Sequence, residues 1–261
     1  MLQVVKSIGE VGGADDLHLP GWKLELPEPT QKSLKDYKVA VWADDALAPV
    51  DQGVKDRVLK VAALVEAAGG QVDYEARPAF DPDHSHRQYE NLLHSAMSAR
   101  QPEEMFKANV ARRAGLEPGD DSALARVTIA SSLYYREWHM HNENRTHLRW
   151  AWHEFFKDYD ILLTPMCSTP AFPHDHNPQI GQRQLTVNNE IRPYMEQLFW
   201  AGLTGVAYLP STIVPTGPNE AGLPIGVQIA SREMGDLYTI EFARKVAEQL
   251  GGFVAPKDYE D

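Results

Sequence analysis

The segment "GLPIGVQIASREMGD", Gly222 to Asp236, decides how this chain is read. Ile225, Val227 and Ile229 alternate with Pro224, Gly226, Gln228 and Ala230, the period of a β-strand. One face is branched and apolar, whereas the other carries only a glycine, an amide and an alanine. Glycine inside a strand marks a place where another backbone, side chain or ligand comes close. Directly upstream, "STIVPTG" reads as a second strand, joined to the first by the turn-rich "PNEAG". Downstream, Asp236 is placed to cap a helix whose Ile240, Ala243, Ala247 and Leu250 share a face and which Gly251-Gly252 ends.

The rest of the chain supplies partners for that hairpin. Residues 1–37 are irregular in pattern, with Pro20, Pro27 and Pro29 breaking any helix. "YKVAVW" (Tyr37–Trp42) is a strand and "ADDALAPVD" a loop. Asp51 is positioned as the N-cap of a helix carrying Val54, Val58, Val61 and Val65, which stops at Gly69-Gly70 before the strand "QVDYEA". This β-α-β unit implies two parallel strands with a right-handed crossover. Helical pattern then dominates from Asp83 to Tyr159, interrupted at Gly115–Asp121. Its last helix, Tyr134–Tyr159, carries Trp138, Trp150, Trp152, Phe155 and Phe156. "YDILLTP" is an apolar strand running into a loop with Pro165, Pro170, Pro173 and Pro178. Asn188-Asn189 lies between two alternating runs and predicts a two-residue hairpin turn, and Pro193 is expected to open a helix through "YMEQLFWAGL". The pattern is α/β: a mixed β-sheet covered by α-helices, taken as one α/β domain over 1–261.

Composition narrows the function classes. The chain has 261 residues, 43% hydrophobic and 24% charged, enough for a substantial core. The net charge of −12 argues against nucleic acid as a partner. No apolar run approaches the roughly 20 residues that cross a bilayer, and the N-terminus lacks the pattern of a signal peptide. One cysteine, Cys167, suits a reducing compartment, so the expected location is cytoplasmic. No P-loop, Gly-x-Ser-x-Gly elbow or dinucleotide glycine pattern is present, and no cofactor is expected.

Four segments in order, "LKDYKVAVW", "FFKDYDILLTPMCSTPAF", "FWAGLTGVAYLPSTIVPTG" and "GLPIGVQIASREMGD", resemble the C-terminal portion of the amidase signature family, from roughly Gly13 to Gly252. That resemblance implies a large mixed sheet and hydrolysis of carbon–nitrogen amide bonds by a nucleophilic serine, a second serine on a cis peptide bond and a lysine. A buried lysine loses its proton readily and can activate the nucleophile through the bridging serine, while backbone N–H groups stabilise the oxyanion. The Gly-Gly-Ser-Ser-Gly-Gly type of run that carries the serines is not in this sequence. The single Ser-Ser pair, Ser131-Ser132, lies in a helical stretch without flanking glycine, and no lysine takes the catalytic role. The chain is therefore expected to start after the catalytic part and to be an incomplete amidase domain, inactive alone. The alternative is a non-catalytic subunit of a split amidase, or a binding module that reuses the fold.

By the same resemblance, Thr164, Pro165, Met166, Cys167, Ser168 and Thr169 border the pocket for a small-molecule amide substrate. Trp138 and Trp200 are assigned to the same wall, with core packing as their plainer role. Cys167 near His174 and His176 is expected to be a small buried residue rather than a nucleophile. His139, Glu143 and His147 recur at i, i+4 and i+8 and read as a solvated helix face, not as a metal site. His84 and His86 are expected to form local hydrogen bonds at a helix start, and Asp44-Asp45 and Asp120-Asp121 to sit in solvated loops or caps. A missing N-terminal part would leave a sheet edge and an apolar face exposed, favouring self-association.

Overall fold

A computed structural model describes residues 24–177 and 180–255. The expectations for residues 1–23, Pro20 among them, and for Pro178 lie outside this range. Strand β1 (Lys38–Val41), helix α1 (Gln52–Ala67) and strand β2 (Gln71–Asp73) form the expected β-α-β unit, with β1 and β2 parallel. Helices α2 (Pro82–Ser98), α3 (Glu103–Ala114), α4 (Ala123–Ala130) and α5 (Tyr135–Phe155) follow. Strand β3 (Ile161–Pro165) precedes the hairpin β4 (Gln184–Val187) and β5 (Glu190–Pro193). Helix α6 (Leu198–Gly205), strands β6 (Ser211–Pro218) and β7 (Pro224–Ala230) and helix α7 (Asp236–Leu250) complete the chain.

The main sheet has the order β2-β1-β3-β7-β6. β1 pairs parallel with β3 (Val39 opposite Ile161), and β3 pairs antiparallel with β7 (Leu163 opposite Ile229), so the sheet is mixed as expected. Both faces are covered, which explains the unbroken apolar run of Ile161, Leu162 and Leu163. Val39, Val41, Ile161, Leu163, Val227 and Ile229 pack against Val58, Val61 and Val65 of α1 and Phe242 and Val246 of α7. Ala40, Trp42, Leu162 and Ala230 point the other way, toward Leu148, Trp152 and Phe155 of α5 and Phe199, Trp200 and Leu203 of α6.

The bare face of β7 is filled from within the chain. A Cβ on Gly226 would lie 2.5 Å from Cγ2 of Ile213 on β6, and Gln228 lies beneath α6, 1% exposed. Asn188 and Asn189, at φ 50° and 68°, form the tight hairpin turn. Asp51 caps α1 by accepting from Gly53 N–H, and Gly251 ends α7 at φ 87°.

Local expectations differ in four places. The N-cap of α7 is Gly235, with Asp236 as the first helical residue, because a Cβ at 235 would lie 2.7 Å from the Arg232 carbonyl oxygen. The buried stripe of α7 is centred on Leu237, Phe242 and Val246; Ala247 and Leu250 only border it, and Ile240 is half-buried. Pro193 is the last residue of β5 and precedes a 3-10 turn, Tyr194–Gln197, before α6. Ser131 is the C-cap of α4 and Ser132 lies in the turn to α5, so the pair ends a helix rather than lying inside one. Asp44, Asp45, Asp120 and Asp121 lie in loops as expected, and Asp44, Asp45 and Asp121 are also fixed acceptors. Asp44 takes Val50 N–H and Lys55, Asp45 takes Trp42 Nε1, and Asp121 takes Arg87 through two bonds of 2.7 and 2.9 Å.

The helical layer holds three partly buried imidazoles. Burial pulls the pKa of His86, His94 and His141 below the ordinary 6.5; Glu90 opposes this at His86 and His94, and Glu137 at His141. A group with a depressed histidine pKa binds fewer protons folded than unfolded, so stability is present above that ordinary value and is lost as pH falls below it. The melting temperature is therefore expected to drop between about pH 7 and about pH 5, and His86→Gln with His141→Asn to flatten that slope. The Gly226 contact predicts a second effect. Gly226→Ala should cost about 1–3 kcal/mol in denaturant unfolding, and Ile213→Ala on that background should recover part of it.

Candidate active site

The carboxyl ends of β1 and β3 lie side by side, and two loops leave from them. In the first, 44–51, Trp42 Nε1 donates to Asp45 at 3.1 Å, Asp44 accepts Val50 N–H at 3.1 Å, and Trp200 Nε1 donates to the Ala48 carbonyl at 3.0 Å. The hairpin tip clamps the end of this loop: Asn188 accepts Gln52 N–H and donates to the Val50 carbonyl. The second loop carries Met166–Thr169, and Asp51 N–H donates to the Ser168 carbonyl at 2.7 Å, joining the two. A crevice outside the carboxyl ends of adjacent parallel strands is where α/β sheets bind ligands.

The structure brings most of the expected pocket residues together at this end. Thr164 and Pro165 are the buried last residues of β3, and Met166 and Thr169 are half-buried. Ser168 is 2% exposed, and its Oγ, like Oγ1 of Thr169, has no hydrogen-bond partner among the described residues. Cys167 is exposed, which corrects the expectation of a small buried residue; the backbone turns its side chain outward while the neighbouring Ser168 turns in. Crowding by surrounding atoms raises its thiol pKa, so the thiolate is disfavoured. His174 and His176 are exposed and meet edge to face with ring centres 5.7 Å apart.

Trp200 is fully buried and commits its indole N–H to Ala48, so it shapes the loop from behind. Trp138 is half-buried against the same core and stacks on Tyr135 at 6.4 Å. The residue that sequence reading left without a partner is Gln228. Its Nε2 donates to Thr164 Oγ1 at 2.9 Å and approaches the Trp200 carbonyl oxygen at 3.5 Å, so one buried amide ties β7 to β3 and α6 beneath the loop. The isolated polar residue on an otherwise bare strand face was the signal for it.

Other candidate groups are engaged elsewhere. Ser132 Oγ donates to the Thr128 carbonyl at 2.7 Å. The buried Lys245 lies on α7, across the sheet from Trp200, where its ammonium donates to Glu241 at 2.6 Å and the Lys32 carbonyl at 2.9 Å. His139 stands 3.9 Å from Glu143 at the surface, whereas His147 packs on Trp150. Among the described residues no three His, Cys, Asp or Glu side chains converge as a metal site would require. Nor, among them, is any helix long and apolar enough to cross a membrane.

A family profile described as Amidase matches residues 14–239. The chain belongs to the amidase family. Among related amidase-family sequences, a glutamyl-tRNA(Gln) amidotransferase subunit from Geobacter sp. (strain M21) is 23% identical over 252 residues, covering 88% of this chain and 49% of that protein. The corresponding subunit of Bdellovibrio bacteriovorus is 27% identical over 158 residues, 60% of this chain and 30% of its own length. A bacterial aryl acylamidase of the amidase signature family superposes with a TM-score of 0.59 at 19% identity, over 83% of this chain and 44% of that one. The glutamyl-tRNA(Gln) amidotransferase subunit of Thermotoga maritima gives 0.58 at 18%, over 87% and 46%. This chain thus spans half or less of the length of these relatives, and the amidase-type fold is what the structural likeness shows.

The buried amide supplies the test for this end of the sheet. Gln228→Met leaves Thr164 Oγ1 buried without its donor and should cost about 1–3 kcal/mol, whereas the double replacement Gln228→Met, Thr164→Val should cost less than the two single changes added together. A double-mutant cycle by denaturant unfolding reads the difference.

Proposed function

We propose that this chain is the C-terminal part of an amidase-signature hydrolase, supplying the substrate-side wall but not the nucleophile. The observation that carries this reading is the loop Met166–Thr169. It stands at the carboxyl end of β3 on a fully buried support, Thr164 with Gln228, and presents two unpaired buried hydroxyls, Ser168 Oγ and Thr169 Oγ1. Buried hydroxyls without partners are uncommon in folded proteins and suit a place where a polar ligand completes the hydrogen bonding. An amide substrate offers both a carbonyl acceptor and an N–H donor for such groups.

The serine pair and lysine of the family chemistry would then lie outside this sequence. Ser131 and Ser132 stand at a helix end, and Lys245 lies across the sheet from the candidate site, bonded to Glu241 and the Lys32 carbonyl, so none of these is placed to form a serine–serine–lysine relay. The open part of the sheet suits a missing neighbour. On the edge strand β6, Pro215 and Pro218 interrupt the outer ladder, and Arg57 donates to the carbonyls of Thr216 and Pro218. Among the described residues no strand pairs with the outer side of Ser211–Val214, and Ile213 is 43% exposed above it. The rest of a larger sheet, or a second copy, would pair there.

The purified chain is expected neither to hydrolyse simple aryl or aliphatic amides nor to react with a fluorophosphonate serine probe. Turnover, or probe found by peptide mapping on a serine of this chain, would show that the catalytic groups are here after all.

A further inference from the structure

At the end of the sheet opposite the candidate site, two loops meet through Ser231 N–H, which donates to the Pro210 carbonyl at 3.3 Å. Each carries a residue in the left-handed region that lacks the freedom of glycine: Tyr208 at φ 59° and Met234 at φ 63°. Tyr208 closes α6 in the manner of a helix C-cap, with its N–H on the Gly205 carbonyl and Leu209 N–H on that of Thr204, the place where glycine is usual. A bulky side chain is strained in this conformation. Both side chains are nonetheless turned to solvent, 53% exposed for Tyr208 and 44% for Met234.

The Tyr208 ring carries two guanidiniums, Arg145 at 4.6 Å and Arg149 at 5.4 Å from its centre, both from α5. Arg149 reaches on to Glu233 at 2.5 Å, and Arg232 lies over the Tyr238 ring at 4.2 Å. Three arginines against Glu233 and Asp236 make a cationic, aromatic patch on a chain of net charge −12. Tyrosine, methionine and arginine are residues that protein interfaces concentrate. Backbone strain kept at an exposed side chain points to a use outside the fold.

We propose that this patch docks a short acidic segment of a partner protein, one carboxylate on Arg145 and Arg149 and an adjacent apolar side chain on Tyr208 and Met234. Arg145 already donates to Asn142 through Nη2, Arg149 donates to Glu233 through its own, and Arg149 Nε is buried, so an incoming carboxylate takes the remaining N–H groups of the two guanidiniums and competes with Glu233 for Arg149. Nucleic acid fits less well. A long polyanion meets the repulsion of the whole chain, net charge −12, whereas a short acidic segment reaches only the local arginines.

The test is fluorescence anisotropy on the full chain with a labelled peptide of alternating aspartate and leucine, the same peptide with asparagine for aspartate, and a labelled single-stranded oligonucleotide. The aspartate peptide should bind, and the asparagine peptide at least about tenfold more weakly. Arg145→Glu and Arg149→Glu should each weaken binding about tenfold or more, and Glu233→Gln should tighten it by freeing Arg149. Tyr208→Gly is the sharpest variant: relief of strain should raise the melting temperature while peptide affinity falls. The proposal is overturned by no binding of the aspartate peptide, equal binding of the asparagine peptide, unchanged affinity in Tyr208→Gly, or tighter binding of the oligonucleotide.

Discussion

Strand β3 is bonded on one side to a parallel neighbour and on the other to an antiparallel one, and its five residues are buried on both faces. That double constraint organises the molecule. Parallel pairing with β1 brings the loops 44–51 and 166–169 out at the same end, where Asp51 and Ser168 join them. Antiparallel pairing with β7 brings Gln228 opposite Thr164, so the loop leaves the sheet from a hydrogen-bonded platform. At the other end Asp160 accepts Lys38 N–H at 2.8 Å and Gln31 Nε2 at 2.7 Å, and its carbonyl accepts Ser231 Oγ. Strands β1, β3 and β7 are thereby aligned before β3 begins.

Two cores follow from one sheet. The face under α1 and α7 is built from branched residues at strand spacing, and such packing is generic to α/β layers. The face under α5 and α6 is aromatic, with Trp42, Trp152, Phe199 and Trp200 in edge contacts, and it alone backs the loop 44–51. A fully buried tryptophan whose indole N–H ends on a loop carbonyl couples packing to loop position. The candidate site therefore inherits its geometry from a rigid side of the molecule.

Much of this was legible in the sequence because period and punctuation agreed. β1, β3 and β7, the capped helix α1 and the Asn188-Asn189 turn all follow from alternation, valine spacing and residues that tolerate positive φ. The five-strand order was not legible, since nothing local says that β1 lies beside β3 across the whole helical layer. Element ends were also obscure where backbone crowding decided them, as at Gly235. Within the candidate site, the loop 164–169 was found by resemblance, but which of its side chains turn inward depends on tertiary neighbours, and Cys167 came out on the wrong side. Tyr208 could not be foreseen at all, because its conformation runs against its own local preference.

The path between β1 and β3 has a further consequence. These strands are neighbours in the sheet, yet everything from 42 to 160, including α1, β2 and all four helices of the layer, lies between them in the chain. Their contact is of very long range, and the entropy of closing so large a loop must be met before the pairing returns any stability. Assembly thus favours helices first and the central seam last. The same arrangement means that insertions or deletions in the helix connections alter the length of an excursion rather than the register of the sheet, so this layer is where members of such a fold can diverge without disturbing the end that holds the loops.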